Sequence, residues 1–160
     1  MVAKDISKEE LKDLYNRDFP LWAEINLQLL KEKAYELVDW ENLLEEIEDI
    51  GTRHLESCIS YLAVILEHLY KIDNLKDIVG GETAGKSWIR SVLNSRSRIE
   101  IWFDIYQSLK SKLQKEVDTA WKISRRKLEI WLRNNDYNPE DFDIPVQCPY
   151  TYQEAMERKL

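Results

Sequence analysis

Apolar residues recur at intervals of three and four along most of the chain, and that spacing predicts one helix after another. Ser7 with Glu10 forms a capping box that opens a short helix, Ser7 to Tyr15. Asp18, with Pro20 in the first turn, opens a second helix that carries Leu21, Trp22, Ile25, Leu29 and Leu30 and runs to about Lys33. Tyr35 to Val38 leads into Asp39, a good N-cap. From there Trp40, Leu43, Leu44, Ile47, Gly51, His54, Cys58, Leu62, Ile65, Leu69 and Ile72 keep one phase, so a single helix is expected from Asp39 to about Ile72. Gly51 falls on this stripe. There it is expected to let a neighbouring helix come close, with a kink as the other option.

Residues 73–86 read as a loop. Trp88, Val92, Arg96, Ile99, Trp102, Phe103, Tyr106, Leu109 and Leu113 then trace a second long amphipathic helix from Ser87 to about Leu113. Val117, Trp121, Leu128, Trp131 and Leu132 trace a third, continuous with the second or broken from it near Gln114. Asn138-Pro139 and Ile144-Pro145 mark 134–147 as irregular chain, and Thr151 with Glu154 caps a short last helix. No stretch alternates with period two for long enough to be a strand. The expectation is an all-α chain forming one domain over 1–160, a helical bundle built on two long antiparallel helices, a third long helix and short terminal ones.

Composition agrees, since glycine and proline together number only 8 in 160 residues. Charge adds a division: residues 1–80 hold 9 Lys+Arg against 18 Asp+Glu, while residues 86–133 hold 12 against 5. The plain account is complementarity between packed helices. The sharper one is attraction of nucleic acid to the basic segment, which is open but not favoured. Two cysteines, Cys58 and Cys148, make no disulfide framework and suit a reducing cytoplasm. The longest apolar run, Leu62 to Leu66, is far too short to cross a membrane, so neither a membrane nor a targeting segment is expected.

One named motif is present. Gly80-x-x-x-x-Gly85-Lys86-Ser87 fits the phosphate-binding loop, in which backbone amides curl round phosphates and the lysine and hydroxyl reach phosphate and magnesium. That loop needs a buried strand before it and parallel partners beside it, and the pattern offers neither. Two lesser readings follow. The stretch is a hinge between helices, or Lys86, Ser87 and Arg90 hold an anion at the helix start. Glu41, Glu45, Glu46, Glu48 and Asp49 crowd one helical segment, but the second acidic pair that a magnesium ladder needs is out of register at Glu67 and Asp73. His54 and Cys58 have the spacing of two zinc ligands, yet a buried thiol and a hydrogen-bonded imidazole explain them as well. No metal or cofactor is called for.

Arg96 sits on the apolar stripe between Val92 and Ile99, so burial obliges it to have a partner. Glu45 or Glu46, with His68 nearby, are the natural candidates, as a closed core network or an open ligand site. Ser124-Arg125-Arg126-Lys127, flanked by Trp121 and Trp131, reads as a solvated basic face, with nucleic acid as the alternative.

Taken in order, Asp39 to Gly51, then Leu66-Glu67-His68-Leu69, then Ser87-Trp88 with Arg96 and Ile99, and finally Cys148-Pro149-Tyr150-Thr151 resemble the bacterial family known as domain of unknown function twenty-nine. The resemblance covers about residues 14–155. It implies an all-helical domain with no assigned activity, and it points to Glu45, Glu46, His68, Ser87, Trp88 and Arg96 as recurring polar and aromatic positions. The expected function is a non-enzymatic protein-interaction or regulatory module whose partner is another protein or a second copy, as a homodimer through exposed Trp and Tyr. Its rivals are an antitoxin-like nucleic-acid regulator using 86–133 and a phosphate or nucleotide enzyme at 80–87.

Overall fold

Three of the α-helices start where a side chain accepts from a free amide of the first turn. The computed structural model describes residues 3–160, without the side chain of Lys4. Among the described residues it contains α-helices and short 3-10 turns and no strand. Ser7 opens α1 (Lys8–Arg17) through a complete capping box with Glu10, and the Asp18 carboxylate accepts from the Leu21 amide to open α2 (Phe19–Lys31). α3 spans Trp40–Asn74 as one helix of 35 residues. α4 (Gly81–Ile105), α5 (Ser108–Leu113), α6 (Val117–Asn134) and α7 (Tyr152–Glu157) follow, the last opened by the Thr151–Glu154 box. Among the described residues no helix is long and apolar enough to cross a membrane.

The chain's contacts gather into two compact units, Met1–Thr52 and Arg53–Leu160, each with its own apolar core. In the first, Leu11 and Leu14 of α1 pack with Trp22, Ile25 and Leu29 of α2 and with Ala34 and Val38. Asp39, just before α3, ties this core together. Its carboxylate accepts from Trp22 Nε1 at 3.0 Å and from Asn42 Nδ2 at 2.6 Å, and its amide donates to Asn26 Oδ1 at 2.9 Å. The links to Trp22 and Asn26 hold the α3 start against α2, and the one to Asn42 lies within that start.

In the second unit the residues of α3 from Cys58 to Tyr70 form a core with Val92 and Ile99 of α4, Leu109 and Leu113 of α5, and Trp121, Leu128 and Leu132 of α6. α3 and α4 run antiparallel. His54 stacks on Trp102 and Tyr106 at one end, while at the other the Lys76 side chain lies against Gly85. The Ser124 hydroxyl of α6 donates to the Ala63 carbonyl of α3 at 2.7 Å, which requires the two backbones to lie close.

Two boundaries differ from the sequence expectation. α4 begins at Gly81, six residues before Ser87, because Gly80 at φ 89° and Gly81 at φ 60° make the chain reversal in left-handed conformations that favour glycine. The connection is residues 75–80, hydrogen-bonded as turns from Leu75 to Val79, and these glycines finish it, so the residues after Gly81 are helical. The second long helix also ends early, at Ile105. Tyr106 leaves helical geometry with φ −131° and ψ 86° while its ring stacks on Trp102 and His54, and the chain resumes as α5 with Leu109 and Leu113 buried.

Gly51 is a third difference. α3 passes through it, and nothing lies within 4 Å of where its Cβ would stand, so no neighbouring helix presses on it. Gly51→Ala is therefore expected to stabilise the chain by up to about 1 kcal/mol, because alanine fits and removes a helix-propensity penalty. Thermal melts followed by circular dichroism check this; a lower melting temperature would show that the site is crowded.

Candidate functional site

Arg96 is buried, and all three of its guanidinium nitrogens are engaged. Nε donates to the Ala155 carbonyl at 2.8 Å, one terminal nitrogen to the Arg158 carbonyl at 2.8 Å and the other to the Glu154 carbonyl at 3.3 Å. These are carbonyls of the last turn of α7 and the residue after it; the Glu154 carbonyl also accepts from the Arg158 amide at 3.2 Å, while those of Ala155 and Arg158 lie at the helix end, where carbonyls lack intrahelical partners. The expected carboxylate partner is thus replaced by the negative end of a helix, which attracts a cation for the same electrostatic reason. Arg158 continues the arrangement. Its guanidinium meets both oxygens of Asp73 at 2.6 and 2.7 Å, and the Tyr150 hydroxyl donates to the same carboxylate at 2.9 Å. The Arg158 hydrogen bonds hold the Asp73 carboxyl below its ordinary pKa.

Glu46 instead accepts from the Tyr15 hydroxyl at 2.6 Å, which pushes that phenol up to about 12, and Glu45 is exposed. His68 donates through Nδ1 to the Val64 carbonyl at 2.8 Å, the partner in the preceding turn of its own helix. Burial pushes its imidazole below the ordinary value, with the carbonyl and the charge of Glu67 pulling the other way.

Beside His68 lies a pair that sequence reasoning passed over. Lys71 Nζ is 2.6 Å from Glu67 Oε1, and both residues are almost sealed from solvent, at 3% and 7% exposure. The ammonium also sits 4.2 Å from the centre of the Trp131 ring, and Trp88 meets that ring edge-on at 5.9 Å. Two nominated residues, His68 and Trp88, therefore border one buried ion pair. The available signal was the i, i+4 order of Glu67 and Lys71, which favours pairing on a helix.

All of the phosphate-loop string but Gly80, the residue before the helix, lies inside α4. In a helix that begins at Gly81, the amides of Lys86 and Ser87 bond back along the helix, so they do not form an anion cradle at its start. Lys86, Ser87 and Arg90 are exposed, and the Ser87 carbonyl accepts from the Ser91 hydroxyl at 3.2 Å. The zinc spacing dissolves in the same way. His54 stacks on aromatic rings, burial pushes the Cys58 thiol up, and no metal-holding group of His, Cys, Asp and Glu occurs among the described residues.

Two surfaces remain that local packing does not explain. On the N-terminal half of α3 the stripe stays in phase but is uncovered: Trp40 is 43% exposed, Leu44 59%, Ile47 56% and Ile50 59%. Glu41, Glu45 and Glu48 run along one edge of it; Glu41 is paired with Lys12 of α1 at 2.6 Å, and no salt bridge to Glu45 or Glu48 is found among the described residues. On α6, Lys122, Arg125, Arg126 and Arg133 share one face, with Glu129 among them. They line an open cleft of about 560 Å³ whose apolar members are Ile130 and Val146. Trp121 Nε1 donates to the Pro145 carbonyl at 3.0 Å, which fixes this wall of the cleft to α6. The buried Arg125 Nε has no hydrogen-bond partner and stands 3.9 Å from Glu129. Among the described residues no carboxylate pairs with Lys122, Arg126 or Arg133. Glu140 and Asp143 border the adjoining surface.

Comparison with family models matches residues 14–160 to the one described as Domain of unknown function DUF29. The chain belongs to this family. Comparison with curated proteins gives no match, and neither does comparison with solved structures. The DUF29 match begins within α1, so it takes in the buried Glu67–Lys71 pair, the Arg96 contacts and both uncovered surfaces. For the DUF29 chain, therefore, family membership names no activity, and its function has to be argued from these surfaces.

Proposed function

We propose that this DUF29 chain is a non-enzymatic protein-interaction module of the cytoplasm, and that it docks through the N-terminal half of α3. The observation that carries this is the row Trp40, Leu44, Ile47 and Ile50, aliphatic and aromatic side chains left open on a well-formed helix beside a row of acids. Covering a side chain of this size releases about 1.5–3 kcal/mol, so a partner with a matching apolar row gains several times that from one helix face. The acids select among such partners, since Glu45 and Glu48, unlike the Lys12-paired Glu41, repel another acidic surface and attract a basic one. The polar residues nominated as a ligand site support the same reading: Arg96 and His68 are committed to backbone carbonyls of their own unit. Free thiols at Cys58 and Cys148 fit a reducing compartment.

Position-specific photo-cross-linking tests the docking face. A photoreactive amino acid at 44 or 47 is expected to give a discrete adduct in cells, and one at the exposed Lys31 of α2 is not. The adduct at 44 should disappear when Ile47→Arg is added. Equal labelling at all three positions, or none in a chain that circular dichroism shows to be folded, removes the reading.

A further inference from the structure

The α3 face asks for a partner that is apolar along one row and basic along the next, and the α6 cleft has that composition. On α6 the cations Lys122, Arg126 and Arg133 form one row and the exposed Ile123 and Ile130 lie along its edge, with Val146 beside them. On α3 the apolar row Leu44, Ile47 and Trp40 is edged by Glu41, Glu45 and Glu48. Each surface is split lengthwise into an aliphatic and a charged row. The two faces are also of similar length, about 15 Å, or three helical turns. We infer that the partner of the α3 face is a second copy of this chain, whose α6 cleft receives it with aliphatic row on aliphatic row and acid on base. This rests on the docking reading of α3 given above.

Charge decides between this occupant and a nucleic acid. A polyanion would use Lys122, Arg126 and Arg133 but leave Ile130 and Val146, 45% and 73% exposed, without a covering group. The cleft lining offers no aromatic ring for a base to stack on. An acidic helix with an apolar row satisfies both parts of the cleft, and every copy of the chain brings one. Because the two faces are different, the contact is heterologous: it closes into a ring of copies or extends as a chain of them.

Charge exchange tests this on the full-length chain. Sedimentation of the wild type from about 1 to 500 µM is expected to show reversible association that weakens as salt is raised. Glu45→Lys with Glu48→Lys in one variant, and Arg126→Glu with Arg133→Glu in another, should each weaken self-association at least tenfold, by about the effect of opposed like charges. Mixed one to one, the two variants should associate again, since each now carries the face the other needs. The neutral pairs Glu45→Gln/Glu48→Gln and Arg126→Gln/Arg133→Gln serve if a reversal prevents folding, and should weaken association less. A monomeric wild type, variants that associate unchanged, or a mixture that does not recover each overturns the inference. If the wild type is monomeric but binds mixed-sequence RNA in a salt-dependent way that Arg126→Glu/Arg133→Glu abolishes, the cleft is a polyanion site and the inference also falls. A cross-link at 44 to a different protein, with the purified chain monomeric, overturns self-association while leaving the docking face standing.

Discussion

Replacing Lys71 by methionine is expected to destabilise the chain by about 3–5 kcal/mol, the cost of leaving one member of a buried ion pair alone. The methionine fills most of the lysine's volume, so the loss is electrostatic. The Glu67 carboxylate keeps its place at 7% exposure without the ammonium that stood 2.6 Å away, and Trp131 loses the cation over its ring. Removing both charges should reverse the result. The double variant Glu67→Leu/Lys71→Met is expected at or above wild-type stability, since the desolvation of both groups is no longer opposed to folding. Urea unfolding of the wild type, both single variants and the double variant closes the cycle, with the Glu67–Lys71 coupling as its output. A Lys71→Met variant within 1 kcal/mol of wild type, by contrast with the range above, would mean that water reaches Glu67. The pair has a pH signature as well. Burial is the largest influence on Lys71 and holds its amine below the ordinary lysine value, against the pull of Glu67. Between the folded and unfolded values the unfolded chain binds more protons, so this group adds stability as pH rises through that alkaline window. Lys71→Met should lack that rise.

Most helices were legible in the sequence because apolar spacing and capping chemistry are local. The Ser7–Glu10 and Thr151–Glu154 boxes, the start at Asp39 and the unbroken phase to the end of α3 all follow from residues within two turns of one another. What was not legible depends on distant chain. Two glycines at 80 and 81 read as part of a longer loop, yet they end the turn that starts at Leu75 and leave Glu82 to Ser87 helical. Nothing local marks the break at Tyr106, where an aromatic stack with His54, a residue of α3, accompanies the exit from the helix. Arg96 shows the limit most clearly. Its place on an apolar stripe demands a buried acceptor, but any strong acceptor meets that demand, and the ones present are carbonyls 58 to 62 positions away. The α3 stripe has the opposite ambiguity: period reports that Leu44, Ile47 and Ile50 share a side of the helix, and cannot report that this side is open.

Because Arg96 ties α4 to the end of α7, Arg96→Met is expected to release the C-terminal segment before it affects the rest of its unit. The substitution keeps an aliphatic chain of similar reach but removes three donors, two of them from the Ala155 and Arg158 carbonyls at the end of α7, since the Glu154 carbonyl keeps the Arg158 amide. Two of these carbonyls can find water once the segment loosens, so the expected loss is about 2–3 kcal/mol, less than the sum of three charged hydrogen bonds. Arg96→Lys keeps the charge and loses the planar fork, and should fall between the two. The local reading is hydrogen exchange: amides of Ala155 to Arg158 should exchange much faster in Arg96→Met, while those of Leu62 to Leu69 speed up only as far as the loss of global stability dictates. Acid should open the same segment in the wild type. The Arg158 guanidinium is the first cause of the lowered Asp73 pKa, so the contribution of this carboxylate to stability is complete above its ordinary value of 3.8 and is lost as pH falls through the depressed folded value. Asp73→Asn should therefore flatten the acid limb of the exchange profile and leave the neutral one weakened. Unchanged exchange at Ala155 to Arg158 in Arg96→Met would show that the apolar contacts of Ala155 and Met156 with the core, and not the arginine, hold α7 in place.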